Sequence, residues 1–329
     1  DKWMNLQISS RTDAGVHAIR NCFHVDIIRP EGKKPFKTSA VANGINSYLS
    51  KQTSKYMKHN HDHDSHGIYT IDTKRNSMRN QSHLRSVLIT DVKTVQSTFN
   101  ARSDAKSRIY EYHILVPTQA AQAVYDVNAI KRKSKLKLND TETSIDNDHN
   151  NDDDDFVESY ESLTRHRNIF HEERKWCLPH PLDTKAMQDA CDILCNNSEE
   201  TDYSSFRNSR CSSSSPFRKI IKFNVYSHSF PEHPTHSNTT DTNTNTNTEN
   251  NNDNNNLLIN QTNQITITVE ATSFLLRMVR NMVGLIVQVG EGKIKLDDVK
   301  NILSVKNRHK IKIKPAPAEG LYLKNVVYD

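Results

Sequence analysis

The sequence predicts an α+β fold built around an antiparallel sheet. Two observations carry that prediction. Segments that alternate apolar and polar residues are mixed along the chain with segments whose apolar residues recur three and four positions apart. The mixture lacks the strict strand-helix-strand order of a parallel sheet, so the strands are expected to pair antiparallel with helices layered on them. A third observation sets how much of the chain is core. Long polar stretches interrupt the regular segments at about 51–85 (with HNHDHDSH), 118–161 (with NNDDDDF) and 227–263 (with TNTNTNTENNNDNNN). Such compositions bury too little apolar area to offset chain entropy, and disordered, low-complexity insertions into a smaller core are expected there.

Each element follows from its local pattern. HAIRNCFHVDII (17–28) alternates as a strand, and KTSAVANGINSYLS (37–50) sets Val41, Ile45 and Leu49 at helical spacing after a Ser/Thr start. SRIYEYHILV (107–116) reads as a strand, as does LLINQTNQITITVEATSF (257–274) after its polar turn. DTKAMQDACDILCNN (183–197) places Met187, Ala190, Cys191 and Leu194 on one helical face. SFLLRMVRNMVGLIVQVG (273–290) runs from strand into a long, largely buried helix, and KLDDVKNILS (295–304) is an amphipathic one.

The totals narrow the class. The chain has 329 residues, 34% of them hydrophobic, and a formal net charge of +5. Ten acids and no Lys or Arg fall within 139–161, so over the remainder 44 basic side chains face 29 acidic ones. A folded part this basic points to a polyanionic partner, nucleic acid first, because phosphate neutralisation supplies most non-specific affinity. Five scattered cysteines make no disulfide framework and fit a reducing compartment. The most apolar run, Leu275 to Gly290, is short for a membrane span and carries Arg277 and Arg280. No membrane partner is expected.

Three constellations could do chemistry. In SSRTDAGVHA, Gly15 permits a sharp turn just after Asp13, so the acid can project from a loop beside the following strand. An Asx turn or helix cap accounts for Asp-Ala-Gly equally simply. In FNARSDAKSRIYEYHI, Arg102, Lys106 and Arg108 alternate with Phe99, Tyr110 and Tyr112, which suits phosphate contacts with base stacking. A half-buried strand with its polar face in water explains the same residues, and if it is a strand, Tyr110 and Tyr112 share one face. In SFLLRMVRNMVG, a guanidinium on a core-packed helix needs a carboxylate or carbonyl partner unless it snorkels to solvent.

Taken together and in this order, the three pieces resemble the TruA family of tRNA pseudouridine synthases. RTDAGVHA is similar to the signature around that family's catalytic aspartate. SRIYEY resembles its second motif, FLLRMVRNMVG its third, and PAPAEGLYLKNVVY its C-terminal strand. ISSRTDAGVHA, KPFKTSAVANGINSYL and GLYLKNVVYD look closest to the animal tRNA pseudouridine synthase-like proteins. The resemblance spans roughly residues 6–50, 86–117, 168–225 and 265–329.

The resemblance implies a fold of two ferredoxin-like halves sharing a central antiparallel sheet, with a positively charged active-site cleft between them. The first half, 1–95, would carry the Asp13 motif, and the second would be 96–329. It implies Asp13 as the catalytic carboxylate, Tyr110 lining the uracil pocket and Arg280 paired with the aspartate, here in a buried ion pair. Arg11, His17, Arg102, Arg108 and Arg218 would bind RNA, Arg218 from the segment TDYSSFRNSRCSSSSPFRK. No metal or cofactor is implied, and the partners are tRNA, bound at the anticodon stem-loop, and a second copy in a homodimer.

The chemistry fits that assignment. Making pseudouridine breaks C1′–N1 and joins C1′ to C5, so the base must detach and turn inside a closed pocket after flipping from its stack. A carboxylate can act as nucleophile or base, and an adjacent guanidinium favours its charged form and aligns it.

The chain also departs from the pattern. Only a dozen residues precede Asp13, so an N-terminal strand is expected to be missing, with a cost in stability and activity. Ser10 stands where many bacterial members have glycine. The rival readings are a catalytically silent tRNA-binding or RNA-folding protein and an unrelated two-domain binding protein. Mitochondrial and cytoplasmic locations both remain open, and HNHDHDSH has no closed metal-ligand spacing.

Overall fold

The computed structural model describes residues 2–61, 87–119, 123, 174–195, 199–229, 262–307 and 313–328, with backbone only for 52–61 and 229. They fall into two compact units, Asp1–Gln7 with His24–Ala101, and Ile8–Phe23 with Arg102–Asp329. The Asp13 segment thus belongs to the second unit and not to an N-terminal half ending at 95. The reason is pairing. The strand that follows the Asp13 turn hydrogen-bonds to the last strand of the chain.

In the first unit, β1 (Lys2–Ile8) and β3 (Phe23–Ile28) form a two-stranded sheet. Helix α1 (Thr38–His61) has Val41, Ile45 and Leu49 half-buried, as their spacing predicts. It continues through Lys51–His61, into the stretch where the sequence predicts an insertion to begin. The Asn46 amide pairs with the backbone of Ile89 in both directions, donating to its carbonyl at 2.9 Å and accepting its N–H at 2.8 Å. One side chain thereby substitutes for a strand neighbour and fixes the segment after residue 86 against α1.

The second unit is built on a seven-stranded sheet in the order β2 (His17–Ala18), β9 (Leu321–Val327), β4 (Ser107–Pro117), β8 (Thr262–Ala271), β7 (Phe217–Ser229) and β6 (Glu200–Asp202), with β5 (Trp176–Cys177) also on β4. Its long central members are β4, β7 and β8, and β9 closes the side next to β2. Strand β4 runs antiparallel to β8 from Arg108↔Ala271 to Pro117↔Thr262, and to β9 with a bulge between Ile109 and Tyr110. The β7–β8 pairing reaches Ser229↔Asn263, so both strands extend into the expected 227–263 insertion. Strands β2 and β5 (Trp176–Cys177) pair parallel with β9 and β4. The sheet is therefore mixed, where an antiparallel one is predicted. The exceptions are two-residue bridges at which loops return to the sheet, too short to show as alternation.

Period two explains which face is covered. Tyr110, Tyr112, Ile114 and Val116 of β4 are buried on one side, and Glu111 and His113 face the other. Against the buried face lie α2 (Thr184–Cys195), α3 (Met278–Gly290) and α4 (Leu296–Val305). The buried residues of α2 are Met187, Ala190, Cys191 and Leu194, the stripe read from the sequence. Each fully buried Ile, Leu or Met contributes about 1.5–3 kcal/mol relative to exposure. Helix α3 is buried nearly all round because it has neighbours on every side: a Cβ on Gly284 would lie 2.1 Å from the Lys314 carbonyl, and one on Gly290 2.7 Å from the Met187 side chain. The remainder of the insertions near 51–85, 118–161 and 227–263, with HNHDHDSH beyond its helical backbone, lies outside the described residues.

Candidate active site

The Asp13 loop is tied at both ends. At its base the Ser9 N–H donates to the Cys22 carbonyl at 2.9 Å, and the Asn21 amide binds Ser9 Oγ, the Ser10 carbonyl and the Cys22 N–H. At its far end β2 pairs with β9, and the His17 ring stacks on Tyr322 with 4.7 Å between centroids. Between these ties the Val16 N–H closes a turn onto the Asp13 carbonyl at 3.1 Å, with Gly15 at φ +81°. That conformation is the reason for glycine, and the turn sits so close to Ala318 that an added Cβ would be 3.2 Å from its methyl group. Asp13 is held at the tip of an anchored loop.

Arg280 approaches from α3. Its Nε donates to the Ala316 carbonyl at 2.7 Å, and its own carbonyl accepts the Ala316 N–H at 2.9 Å. So docked, Nη1 lies 3.9 Å from Asp13 Oδ2, with side-chain exposures of 14% for the arginine and 27% for the aspartate. The pair is half-open where a buried one is expected. Asp13, at the tip of its loop, keeps more exposure than the arginine, whose guanidinium is held on the Ala316 carbonyl.

Tyr110 completes the group. Its hydroxyl is 3.1 Å from Ser10 Oγ, and its ring meets Phe274 edge-on at 5.2 Å. Burial raises the phenol above its ordinary value; the Ser10 hydrogen bond opposes this, while the Asp13 charge adds to it. The hydroxyl is thus neutral around pH 7 and senses the carboxylate. Tyr112, two residues on, is fully buried and donates to the Pro317 carbonyl at 2.9 Å. The carbonyls of Ala316 and Pro317 therefore position both Arg280 and the sheet residue beneath the site.

The other predicted residues divide by environment. Arg11 is exposed beside the turn, and Arg102 is exposed with its carbonyl accepting from Arg108. Arg108 turns inward: its guanidinium donates to the carbonyls of Ser9, Arg102, Ala105 and Thr272, and burial holds it below the ordinary arginine value. It staples the start of the Asp13 loop to β4 and to the end of β8. His17 lies on Tyr322, whose other face carries His113 at 4.7 Å. Arg218 is bonded within its own loop. Among the described residues no group of three or more His, Cys, Asp or Glu could hold a metal ion, and no helix is long and apolar enough to cross a membrane.

Sequence reasoning missed Ser10 as the partner of Tyr110, Phe274 as its packing ring, and the Ala316 carbonyl as the anchor of Arg280. Only Ser10 carried a signal, as a departure from glycine. A carbonyl carries none, because every residue has one.

The arrangement joins a carboxylate, a guanidinium that orients it and a neutral phenol, a set suited to nucleophilic or proton-transfer chemistry. Comparison with known proteins supplies the class. The family model for tRNA pseudouridine synthases matches residues 200–329, which include Arg280. The tRNA pseudouridine synthase A of Orientia tsutsugamushi (strain Ikeda) is 26% identical over 332 residues, covering 99% of this chain and 85% of its own. Human tRNA pseudouridine synthase-like 1 is 25% identical over 329 residues, covering 99% and 75%. The enzyme A of Haemophilus ducreyi (strain 35000HP / ATCC 700724) is 31% identical over 149 residues, covering 45% and 43%. Bacterial and animal relatives match along almost its whole length, and the chain is similar throughout to tRNA pseudouridine synthases, with the family model falling on its C-terminal part.

Proposed function

We propose that this protein isomerises uridine to pseudouridine in tRNA, with Asp13 as the reacting carboxylate. The observation that carries the reading is the approach of Arg280 to Asp13 at 3.9 Å while its Nε is fixed on Ala316. A guanidinium anchored by one nitrogen holds the carboxylate in a single orientation with the other. The reaction breaks C1′–N1, forms C1′–C5, and transfers the C5 proton to solvent while N1 gains one. Asp13 serves as nucleophile or base in that sequence. Tyr110 supplies a ring wall and a neutral hydroxyl for the detached uracil, and a half-open carboxylate leaves room for a nucleotide flipped from its stack.

Homodimeric assembly, an anticodon stem-loop target, and two ferredoxin-like halves flanking a basic cleft belong to this same reading. They rest on the resemblance and on the basic balance of the chain outside 139–161. Arg11 and Arg102, exposed on the same unit as Asp13, are its nearest candidates for phosphate contacts.

Tritium release from C5-labelled uracil in tRNA tests the reading. Release by the wild type and none by Asp13→Asn is expected. Binding of tRNA without release by either protein would overturn it in favour of a silent RNA-binding protein.

A further inference from the structure

We infer that the loop between Arg207 and Arg218, together with Arg277, is a phosphodiester-binding surface: Arg210 and Arg277 contact the RNA backbone, and Arg207 and Arg218 are the internal frame. The inference rests on the proposal that the substrate is RNA, and it names a surface that delivers that RNA to Asp13.

The loop reads RNSRCSSSSPFR, with three arginines, five serines and no acid. Two of its guanidiniums turn inward. Arg207 donates to the Cys211 carbonyl at 2.9 Å and to the Ser213 carbonyl, and Arg218 donates to the Ser215 carbonyl at 2.9 Å and to Ser213 Oγ at 2.7 Å. Arg218 Nε is buried without a hydrogen-bond partner. Among the described residues no carboxylate lies within 4.0 Å of Arg207, Arg210, Arg218 or Arg277. The inner guanidiniums are held by neutral carbonyl and hydroxyl dipoles and by no carboxylate within 4.0 Å, so the loop keeps a net positive potential. Burial holds Arg218 below the ordinary arginine value, with the Cys211 and Glu200 charges opposing this and Arg207 adding to it.

Two bonds lay the loop beside the approach to α3. The Asn208 N–H donates to the Leu276 carbonyl at 3.1 Å, and the Leu276 N–H donates to Cys211 Sγ at 3.5 Å. Arg210 and Arg277 therefore flank one stretch of paired backbone, and both are exposed. Arg277 holds φ +59° at the N-cap of α3, a left-handed conformation uncommon outside glycine, asparagine and aspartate, and the first turn that follows carries no acid. Arg280, the residue facing Asp13, is one helical turn further on, about 5 Å along the axis. A cationic surface that begins one helical turn from the residue facing the carboxylate is placed for the phosphates that flank the reacting nucleotide. The exposed serines 212, 214 and 215 add hydroxyl donors of the kind that bind phosphate oxygens.

The test compares Arg210→Gln/Arg277→Gln with wild type and with Lys300→Gln, a cation on α4 outside the surface. Dissociation constants for a tRNA transcript are measured across a salt series, with thermal melting alongside. The double variant should bind roughly 10- to 30-fold more weakly at 0.15 M salt, with the slope of log K against log salt shallower by about 1.5, as two lost phosphate contacts require. Melting should be unchanged, because both side chains are exposed, and Lys300→Gln should stay within about twofold of wild type. Arg218→Gln, which removes carbonyl partners from inside the loop, should instead lower the melting temperature. Wild-type affinity and slope in the double variant, or an equal loss in Lys300→Gln, overturns the inference. If those results come from a wild type that binds tRNA and releases tritium, the inference fails alone. A wild type that does neither removes the functional reading as well.

Discussion

Arg280 Nη1 stands 3.9 Å from Asp13 Oδ2, and the same guanidinium is fastened through Nε to the Ala316 carbonyl at 2.7 Å. The geometry assigns two tasks to one planar group, holding a carbonyl of the segment before β9 and orienting the carboxylate. A lysine carries all its donors on one nitrogen and cannot occupy the Nε and Nη1 positions at once.

Arg280→Lys should therefore keep most of the stability and lose most of the activity. Arg280→Ala should lower turnover at least about 100-fold, the scale of losing one fixed donor at a reacting centre. Its stability cost should be ~1.5–3 kcal/mol, that of a hydrogen bond to a charged group, and below the ~3–5 kcal/mol of a broken buried pair, because both side chains keep some contact with water. Tritium-release rates and urea unfolding of both variants check this. A fully active Arg280→Lys would show that orientation through two nitrogens is not needed.

Ser10 is expected to act through Tyr110, since their oxygens are 3.1 Å apart in a half-buried setting. Ser10→Ala should reduce turnover by several-fold, equivalent to ~0.5–1.5 kcal/mol for one hydrogen bond. In a Tyr110→Phe background the same change should have no further effect. A double-mutant cycle on single-turnover rates reads the coupling, and additive losses would mean that Ser10 works some other way.

Gly284 and Gly290 lie on one helix and should differ sharply. An alanine methyl at 284 meets the Lys314 carbonyl at 2.1 Å, a backbone atom that cannot swing aside, whereas at 290 it meets the flexible Met187 side chain. Gly284→Ala should cost at least ~2–3 kcal/mol and Gly290→Ala about 1 kcal/mol. The first should also depress activity, because Lys314 leads into Ala316, the anchor of Arg280. Equal melting temperatures for the two variants would contradict the close approach.

Stability should fall at both ends of the pH scale for identifiable reasons. Burial lowers the His113 imidazole; Glu111 pulls it up, Lys175 and Lys324 push it down, and Tyr322 covers one ring face. A base with a depressed folded-state value contributes stability above its ordinary value near 6.5 and loses it as the pH falls. Burial raises Tyr110, Tyr112 and Tyr203, whose contribution is present below about pH 10 and lost as the pH rises. Melting temperature against pH should show both declines, and His113→Gln should flatten the one that begins as the pH falls below about 6.5. An unchanged acid limb in that variant would assign it to other groups.

Much of the second unit was legible before any coordinates. The period of SRIYEYHILV places Tyr110 and Tyr112 on one face, and DTKAMQDACDILCNN names the buried stripe of α2, as the structure has them. Gly15 after Asp13 permits a sharp turn, and the structure has a turn there with Gly15 at φ +81°. What failed depends on distance along the chain. The pairing of the Asp13 segment with β9, some three hundred residues later, was not legible, because nothing local in RTDAGVHA records that partner. Arg108 reads as an RNA contact from its row of basic residues and Arg218 from the resemblance of its segment, and neither reading could show the carbonyls that their donors meet in the fold.

The sequence by itself determined the local conformations and the residue types available for chemistry, because side-chain period, turn stereochemistry and charge act between near neighbours. Only the tertiary structure decided which of those residues meet. Asp13, Tyr110 and Arg280 converge through strand register, a bulge beside Tyr110 and helix packing against the Lys314–Ala316 backbone. Those terms depend on shape complementarity between distant segments, and one guanidinium comes to face the carboxylate while its neighbour at Arg277 faces water for the same reason.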